Sequence, residues 1–261
     1  MDKGGNLAQL LRGINAPKLL LLMSNERQFE QHVEELEEHF PGIPSIGCVG
    51  GSYGGHDVVA ENGVAVVAME GNLTVVTNVL EQASVMPVKY IERLEQDVSR
   101  VGASEKNTVC IDFCTGNDAC VLTTIYSVLG RKEISLVGGT GDAGKVSVNG
   151  TIYTDADVYA LIRNNDGKIK VYKENIYKQV PGCRFIASQT ERSKYLLGQL
   201  NGEPAKKVYQ DILHISDSEV GTQTLKNPLG KMNGQDICIV SIKEIVGNQI
   251  VCFRQVNDSD V

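Results

Sequence analysis

The sequence predicts an α/β protein with mixed sheets and flanking helices, in which an internally duplicated N-terminal domain precedes a smaller α+β C-terminal part. Two observations lead to this class. Segments with apolar residues at helical spacing alternate with short apolar strands. The same order of elements also occurs twice, over about residues 1–86 and 87–180, before the pattern changes after Pro181-Gly182. We therefore expect a domain at 1–180 and a C-terminal part at 181–261.

The first half reads helix, strand, helix, strand, glycine-rich turn, strand, strand. Its second helix is the clearest, because apolar residues recur at helical spacing with glutamates on the opposite side. These apolar residues are Phe29, Val33, Leu36 and Phe40. The other elements are expected as a helix at 7–14, strands at 18–23, 45–49, 63–69 and 73–80, and a turn at 50–55.

The second half repeats that order, with a helix that we expect Gly130 to end and a glycine-rich turn at 138–142. A short motif supports the duplication, since residues 48–52 read Cys-Val-Gly-Gly-Ser and residues 136–140 read Leu-Val-Gly-Gly-Thr. The helices are expected at 88–101 and 118–129 and the first strands at 108–113 and 134–137.

The C-terminal part begins with a hairpin pattern, in which two apolar runs flank a polar turn. A helix follows Asn201, and the polar segment 214–234 is expected to be a loop because it contains Asn227-Pro228. The strands of this part are expected at 183–188, 194–200, 237–242 and 250–256.

The stretch from Ile134 to Lys145 nearly spells a phosphate-binding loop, since an apolar strand runs into a glycine-rich turn that ends in lysine. Such a loop needs a hydroxyl residue after the lysine and then a helix whose N-terminus faces the phosphates. Here Val146 follows, and the next residues alternate as in a strand. The pattern therefore argues against nucleotide binding.

Composition excludes other classes of protein. Because 25 basic residues stand against 32 acidic ones, the net charge of −7 opposes a broad face for nucleic acid. The apolar runs are too short to cross a bilayer, so no direct membrane insertion is expected. Seven scattered cysteines, several of them within apolar strands, are typical of reduced and buried thiols. We expect a cytoplasmic protein that has no cofactor and no metal site.

The two glycine-rich turns form the candidate ligand site. If an approximate two-fold axis relates the halves, the turns lie at equivalent or facing positions, and backbone amides bind a small polar ligand between them. Asp112 and Asp142 could also hold an ammonium group or a metal ion. The candidate residues are Cys48, Gly50, Gly51, Ser52, Tyr53, Asp112, Gly138, Gly139, Thr140 and Asp142. The alternative, of equal weight, is that these glycines only allow positive φ and close strand packing.

Catalytic candidates are few. Cys48 and Cys114 lie at the carboxyl ends of expected strands, where a thiol beside a basic group could act as a nucleophile. His56 follows a glycine turn and is the one histidine expected in a cleft. The others are expected to be solvated: His32, His39 and His214. Without a nucleophile elbow or a Ser-His-Asp order, we assign no catalytic residue.

Several segments resemble the FIST family of sensory domains, named for F-box and intracellular signal transduction. Residues 46–51 resemble its first glycine signature, and residues 135–142 with the following strand pair resemble its second. Residues 200–205 and 227–230 are similar to its C-terminal part. The resemblance implies sensing of a small ligand, with amino acids among the candidates, and in bacteria a connection to a signalling module. No output module is recognisable. Because the sequence ends soon after a strand, before the C-terminal part of the family is complete, we expect a truncated C-terminal part.

We therefore expect a non-catalytic sensor that binds a small polar metabolite and passes its signal to a downstream signalling domain or protein. Two alternatives stay open. One is a thiol-dependent enzyme that acts on a small metabolite through Cys48 or Cys114, and the other is a scaffold for protein partners. Nucleic acid is not expected as a partner, and the sequence leaves the oligomeric state open.

Overall fold

The computed structural model divides the chain into two compact units, Met1–Tyr172 and Lys173–Val261. It describes residues 2, 5–50, 52–54, 57–59, 63–116, 118–172, 176–224, 226–233 and 236–261. Side chains are described for these residues except 52–54, 57–59, 118–120, 233 and 236. Helices and strands alternate in both units, and the predicted α/β class is confirmed.

The first half of the N-terminal unit contains the predicted elements, with a short additional hairpin in place of the glycine-rich turn. The elements are α1 (Leu7–Leu11), β1 (Leu19–Ser24), α2 (Phe29–His39), β2 (Ser45–Val49), β3 (Ser52–Gly54), β4 (Asp57–Val59), β5 (Val64–Met69) and β6 (Leu73–Glu81). β3 pairs with β4 in an antiparallel hairpin, so Ser52 and Tyr53 are strand residues and the prediction of a turn there is wrong.

The second half follows the same order. Its elements are α3 (Ile91–Val101), β7 (Thr108–Cys114), α4 (Asp118–Leu129), β8 (Ser135–Thr140), β9 (Val146–Val148), β10 (Thr151–Tyr153) and β11 (Ala156–Asn164). The strand predicted after Lys145 is confirmed, because β9 follows that residue directly. The second glycine segment is therefore followed by a strand, and not by the helix that a phosphate-binding loop requires.

Each half contributes one parallel strand pair whose members are connected by a helix, namely β1–α2–β2 and β7–α4–β8. The halves then exchange strands. β6 of the first half pairs with β11, while β9 and β10 of the second half extend the first sheet beside β2. The resulting sheet orders are β10-β9-β2-β1-β5 and β6-β11-β7-β8.

The two sheets pack face to face rather than joining at an edge. Residues from both contribute to one apolar core, with Leu21 and Ile46 from the first sheet and Val158 from the second. α1 and α2 cover the outer face of the first sheet, and α3 and α4 cover that of the second. The N-terminal unit is therefore built of four layers, in the order helices, sheet, sheet, helices.

The C-terminal unit is a smaller α+β arrangement with its own core around Tyr209 and Ile250. Its elements are β12 (Ala187–Glu191), β13 (Leu196–Leu200), β14 (Glu203–Pro204), α5 (Ala205–Leu213), α6 (Val220–Gln223), β15 (Leu229–Asn233), β16 (Asp236–Val240), β17 (Ile242–Val246) and β18 (Gln249–Cys252). The hairpin β12–β13 is confirmed. The expected loop at 214–234 is wrong, because α6 and β15 lie within it. Across the described residues, helices that could span a bilayer are absent.

Candidate ligand-binding site

The carboxyl ends of the two parallel strand pairs form the candidate site. β2 ends at Val49, β7 at Cys114 and β8 at Thr140. In each pair the connecting helix follows the carboxyl end of the first strand. Open α/β sheets commonly bind ligands just beyond this end of their strands. The fold therefore brings the segments that the sequence singled out to a position suited to ligand binding.

The two glycine segments lie against each other. A β-carbon built at Gly141 would lie 3.0 Å from the Cβ atom of Cys48 and 3.1 Å from the carbonyl oxygen of Val49. The N–H group of Val49 donates to the carbonyl oxygen of Lys145 at 3.3 Å. Gly141 thus serves close packing, because a larger residue would push the two segments apart.

Some backbone amides of these segments are already hydrogen-bonded within the protein. The N–H group of Gly50 donates to Ser24 at 3.0 Å, and that of Gly141 donates to Cys114 at 2.8 Å. Both bonds tie a glycine segment to the end of a neighbouring strand. These two amides are therefore not available to a ligand in this conformation, contrary to the expectation for Gly50.

Gly138, Gly139 and Thr140 belong to β8 and not to a turn. Their partners across the parallel ladder are Asp112, Phe113 and Cys114 of β7, respectively. All three residues are exposed, and β8 pairs with β7 alone among the described strands. An edge strand presents unpaired N–H and C=O groups on its outer side. The expectation of a turn at 138–140 is wrong, but the strand still offers backbone groups to a ligand.

Asp112 lies directly behind Gly138. Its side chain is buried, with 4% of its surface exposed. A β-carbon built at Gly138 would collide with the carbonyl oxygen and the carboxylate of Asp112. The missing side chain at Gly138 therefore makes room for a carboxylate beside the exposed end of β8.

A second carboxyl group, that of Asp157 on β11, adjoins Asp112. Asp157 lies opposite Cys114, and Tyr159 lies opposite Asp112, so the four residues share one face of the sheet. Asp157 is fully buried. Burial and the charge of Asp112 raise the pKa of Asp157 well above its usual range. Sequence reasoning missed this residue.

A hydrogen-bonded network includes Tyr159, the residue opposite Asp112. The hydroxyl of Tyr159 donates to Asp97 of α3 at 2.7 Å, and the side-chain amide of Asn78 donates to the same carboxylate oxygen at 2.9 Å. Burial and the bond to Asp97 raise the pKa of Tyr159, and burial with nearby carboxylates raises that of Cys110. Both groups are therefore neutral at physiological pH.

Of the remaining predicted site residues, the structure describes the side chain of Asp142 only. Asp142 is exposed and begins a short 3₁₀ turn, Asp142–Gly144. Gly51 and His56 lie outside the described residues, as do the side chains of Ser52 and Tyr53. Among the described residues, no group of three or more His, Cys, Asp or Glu side chains is arranged to hold a metal ion.

Comparison with known families assigns the chain. The family model of the FIST N domain matches residues 18–203, which is more than half of the chain. The chain belongs to the FIST family. FIST domains are sensory domains associated with signal transduction. The match includes both glycine segments and continues into the C-terminal unit. No match to the chain was found among curated proteins.

Cys48 of this FIST domain is a poor nucleophile near neutral pH. Cys48 and Cys114 do lie at the carboxyl ends of strands, and both are buried. Burial and the charge of Asp142 raise the pKa of Cys48 to about 12. The thiol of Cys114 donates to the carbonyl oxygen of Gly116 at 2.8 Å. Cys48 therefore remains a protonated thiol near neutral pH.

His32 of the FIST domain is buried, and the expectation that it is solvated is wrong. Its Nδ1 atom lies 2.7 Å from the hydroxyl of Ser24, and its Nε2 atom lies 3.0 Å from the carbonyl oxygen of Gly5. The signal was present in the sequence, since His32 lies next to Val33 and four residues before Leu36 on the apolar stripe of α2. His39 and His214 are exposed, as expected.

Lys145, the residue that gave the FIST domain its likeness to a phosphate loop, pairs with an acid. Its ammonium group lies 2.9 Å from Glu30 of α2. The hydrogen bond and the charge of Glu30 raise the pKa of Lys145. The ammonium group that would bind a phosphate in a phosphate-binding loop is therefore paired with Glu30 in this protein.

Proposed function

We propose that this FIST domain is a cytoplasmic sensory module that binds a small polar metabolite, an amino acid or a related compound, at the carboxyl ends of its parallel strand pairs. The observation that carries the proposal is the buried carboxyl pair Asp112 and Asp157 behind exposed Gly138. Buried carboxyl groups reduce stability unless they are well paired. Titratable groups with perturbed pKa values at such a strand end are typical of functional sites.

Groups around this pair suit a polar ligand. The outer edge of β8 offers the backbone groups of Gly138 and Thr140, because Gly141 donates to Cys114 of β7 and alternate residues of a strand direct their backbone groups to the same side. The exposed hydroxyl of Thr140 lies at the same strand end. Asp142 adds a carboxylate two residues later. A ligand that carries both donors and acceptors would use the backbone edge for one set of its groups and the carboxyl groups for the other.

The same segment provides a route between the two sheets. Gly141 packs on Cys48, and β9 continues from this segment into the first sheet beside β2. A ligand that displaces the end of β8 would therefore act on both sheets of the unit. We propose that the receiver is a downstream signalling domain or protein. Signalling requires that the ligand bind two conformations with different affinities.

Sensing ranks ahead of thiol-dependent catalysis for a physical reason. A nucleophilic cysteine needs a lowered pKa and a basic neighbour. Cys48 has instead a raised pKa and an acidic neighbour, Asp142. An enzyme that used Cys48 would first have to ionise a buried thiol against a negative charge.

Thermal-shift measurements with a panel of amino acids, amines and small organic acids test the proposal. A ligand at a hundred times its dissociation constant adds about 2.7 kcal/mol to the free energy of unfolding. Gly139→Gln places a side chain at the exposed carboxyl end of β8, between Gly138 and Thr140, and Gly130→Gln is the matched control. At either glycine, no described atom outside its immediate neighbours lies within 4 Å of a built β-carbon.

We expect a ligand-dependent shift in the unsubstituted protein and in Gly130→Gln, and its loss in Gly139→Gln. The unliganded melting temperatures of the two variants report whether folding is intact. A panel that stabilises none of the proteins, or a shift that survives Gly139→Gln unchanged, contradicts the proposed site.

A further inference from the structure

The C-terminal unit contains a cavity of about 540 Å³, and all of its described lining residues belong to this unit. Its walls come from β13, α5 and β16, which contribute Leu200, Ile212 and Ile237 among others. Among the described strands, β15 and β16 pair with each other alone. The cavity therefore lies between this separate hairpin, α5 and the sheet that contains β13. Its volume is typical of small-molecule pockets.

The interior of the cavity is apolar. Ile237 and Ile239 point to the same side of β16, because alternate residues of a strand share a face. Together with Ile212, they are half-buried and are not part of the apolar core of this unit. The hydroxyl of Tyr209 in the wall already donates to the carbonyl oxygen of Asn227 at 3.0 Å. The interior therefore favours a ligand with an apolar body, whose contact would remove these isoleucines from water.

The charged residues that line the cavity are mainly basic. Lys178, Arg184 and Lys226 are exposed, and none of the three forms an ion pair with a described residue. Asp260 is the one acidic side chain among the described lining residues, and it lies 2.6 Å from Lys231. The whole chain, in contrast, has a net charge of −7. This local positive charge at the solvent side of the cavity favours an anion.

We propose that this cavity binds a small amphipathic anion, whose aliphatic chain fills the apolar interior and whose anionic head group lies at Lys178, Arg184 and Lys226. The basic side chains would donate charge-assisted hydrogen bonds to the head group. The chain would at the same time cover the half-buried isoleucines of α5 and β16. This ligand is distinct from the polar metabolite proposed for the end of β8, because it needs a long apolar body.

A series of fatty acid anions tests the apolar interior. Butyrate, hexanoate and octanoate have the same head group, and calorimetric titration of the intact protein measures their affinities. Each CH₂ group that leaves water should raise the affinity about fourfold. An affinity that does not rise with chain length would contradict an apolar interior.

Two further probes of the same chain length test the charge of the ligand. Octanol lacks a charge, and octylammonium carries the opposite one. We expect octanoate to bind more tightly than octanol, and octylammonium to bind most weakly. Binding of octylammonium as tight as that of octanoate would overturn the anionic head group.

Two cysteines locate the binding site. Cys183 lines the cavity and is half-buried. Cys238 is also half-buried, but it lies between Ile237 and Ile239, so its side chain is on the other face of the hairpin. Octanoate should slow the alkylation of Cys183 by iodoacetamide in proportion to occupancy and leave that of Cys238 unchanged, as mass spectrometry measures. No protection of Cys183, or equal protection of both, would place the ligand elsewhere.

A pair of double variants tests the basic side chains. Arg184→Gln with Lys226→Gln removes two exposed charges from the cavity and should weaken octanoate binding about tenfold, with octanol binding unchanged. Arg192→Gln with Lys243→Gln is the matched control, since both residues are exposed and neither lines the cavity. Equal octanoate affinities in the two double variants would contradict the assigned head-group position. Melting temperatures without ligand report whether both variants are folded.

Gly139→Gln separates this cavity from the site at the end of β8. Octanoate should bind Gly139→Gln as it binds the unsubstituted protein. If octanoate fails to bind while a polar metabolite gives a thermal shift that Gly139→Gln abolishes, the cavity proposal is wrong and the proposed sensory site stands. If octanoate protects Cys183 and no polar metabolite gives a shift, the cavity proposal stands and the sensory site is wrong.

Discussion

Gly138 and Gly139 are neighbours in the chain but lie in different surroundings. A β-carbon at Gly138 would collide with Asp112, whereas no described atom outside its immediate neighbours lies within 4 Å of a β-carbon at Gly139. The sequence pattern treats both glycines as parts of one turn. In the fold, Gly138 serves close packing, and Gly139 is open to solvent. The packing interpretation therefore applies to Gly138, and ligand binding at Gly139 stays a prediction.

This contrast predicts unequal effects of alanine at the two positions. We expect Gly138→Ala to lower the free energy of unfolding by about 1–3 kcal/mol, because the added methyl group overpacks the contact with Asp112. Gly139→Ala should change it by less than about 0.5 kcal/mol. Urea denaturation of both variants measures the difference. Similar losses in the two variants would argue against a packing role specific to Gly138.

Asp157 shows why part of the site was hidden from the sequence. β11 is buried on both faces over Ala156–Ile162. The alternation of polar and apolar residues therefore does not indicate which face of the sheet each side chain is on. Asp112 could be singled out because it precedes a strand end. Its partner could not, because only the pairing of β7 with β11 brings the two carboxyls together.

Among the elements, α3 and α4 are both followed by a glycine, but only the glycine after α3 caps its helix. α3 is followed by Gly102 in the left-handed region, at φ 64°, where its N–H group bonds the carbonyl groups of the last turn. Gly130, expected to end α4 in the same way, instead begins the 3₁₀ turn Gly130–Lys132. Glu133 takes the left-handed position there, at φ 54°. The end of α4 at Leu129 is confirmed, but its glycine cap is wrong.

Alanine substitution distinguishes the two helix ends. Gly102→Ala should lower the free energy of unfolding by about 1–2 kcal/mol, because a residue with a β-carbon is strained in the left-handed region. The new methyl group would also displace the flexible end of Arg163. Gly130→Ala should be neutral or stabilising by up to about 1 kcal/mol. Thermal or chemical denaturation provides the comparison, and a larger loss for Gly130→Ala would refute it.

Long amphipathic or apolar elements were predictable, and short ones were not. α2 and β2 match their predicted positions closely because several turns of periodicity, or a run of apolar residues, mark each of them. α6 has only four residues, and β15 reads Leu-Gly-Lys-Met-Asn, which contains no apolar run like that of β2. β15 is held by its pairing with β16, a contact that composition does not reveal.

The N-terminal unit as a whole depends on strand exchange between its halves. β6 leaves the first half for the second sheet, and β9 and β10 join the first. Each sheet thus contains strands from both halves, and the shared core between them is built from both. A ligand at the end of β8 therefore contacts a structure in which neither half is independent.

The buried carboxyl pair gives the whole unit a dependence on pH. The pKa of an aspartate in the unfolded chain is about 3.9, and the folded protein raises that of Asp157 well above this. Between the two values the folded state binds more protons, so its stability falls as pH rises. The stabilising contribution of the protonated pair is complete below about pH 4 and is lost as pH rises through the folded pKa.

Asp157→Asn should therefore change the pH profile of stability. Asparagine does not titrate, so we expect the free energy of unfolding of the variant, relative to the unsubstituted protein, to increase as pH rises above about 4. Denaturation at a series of pH values measures this, with Asp211→Asn as a surface control that keeps the original slope. Parallel profiles for Asp157→Asn and the unsubstituted protein would show that no proton is held at the pair.

The sequence by itself determined the α/β class, the order of the long elements, the duplicated arrangement and the membership in the FIST family, because these depend on local periodicity and on motifs within short segments. The tertiary structure decided which strands pair, which glycines serve packing, that His32 is buried and that Asp157 adjoins Asp112. Each of these depends on contacts between residues far apart in the chain. Local pattern carries no record of such contacts, since burial and pairing are properties of the assembled sheets.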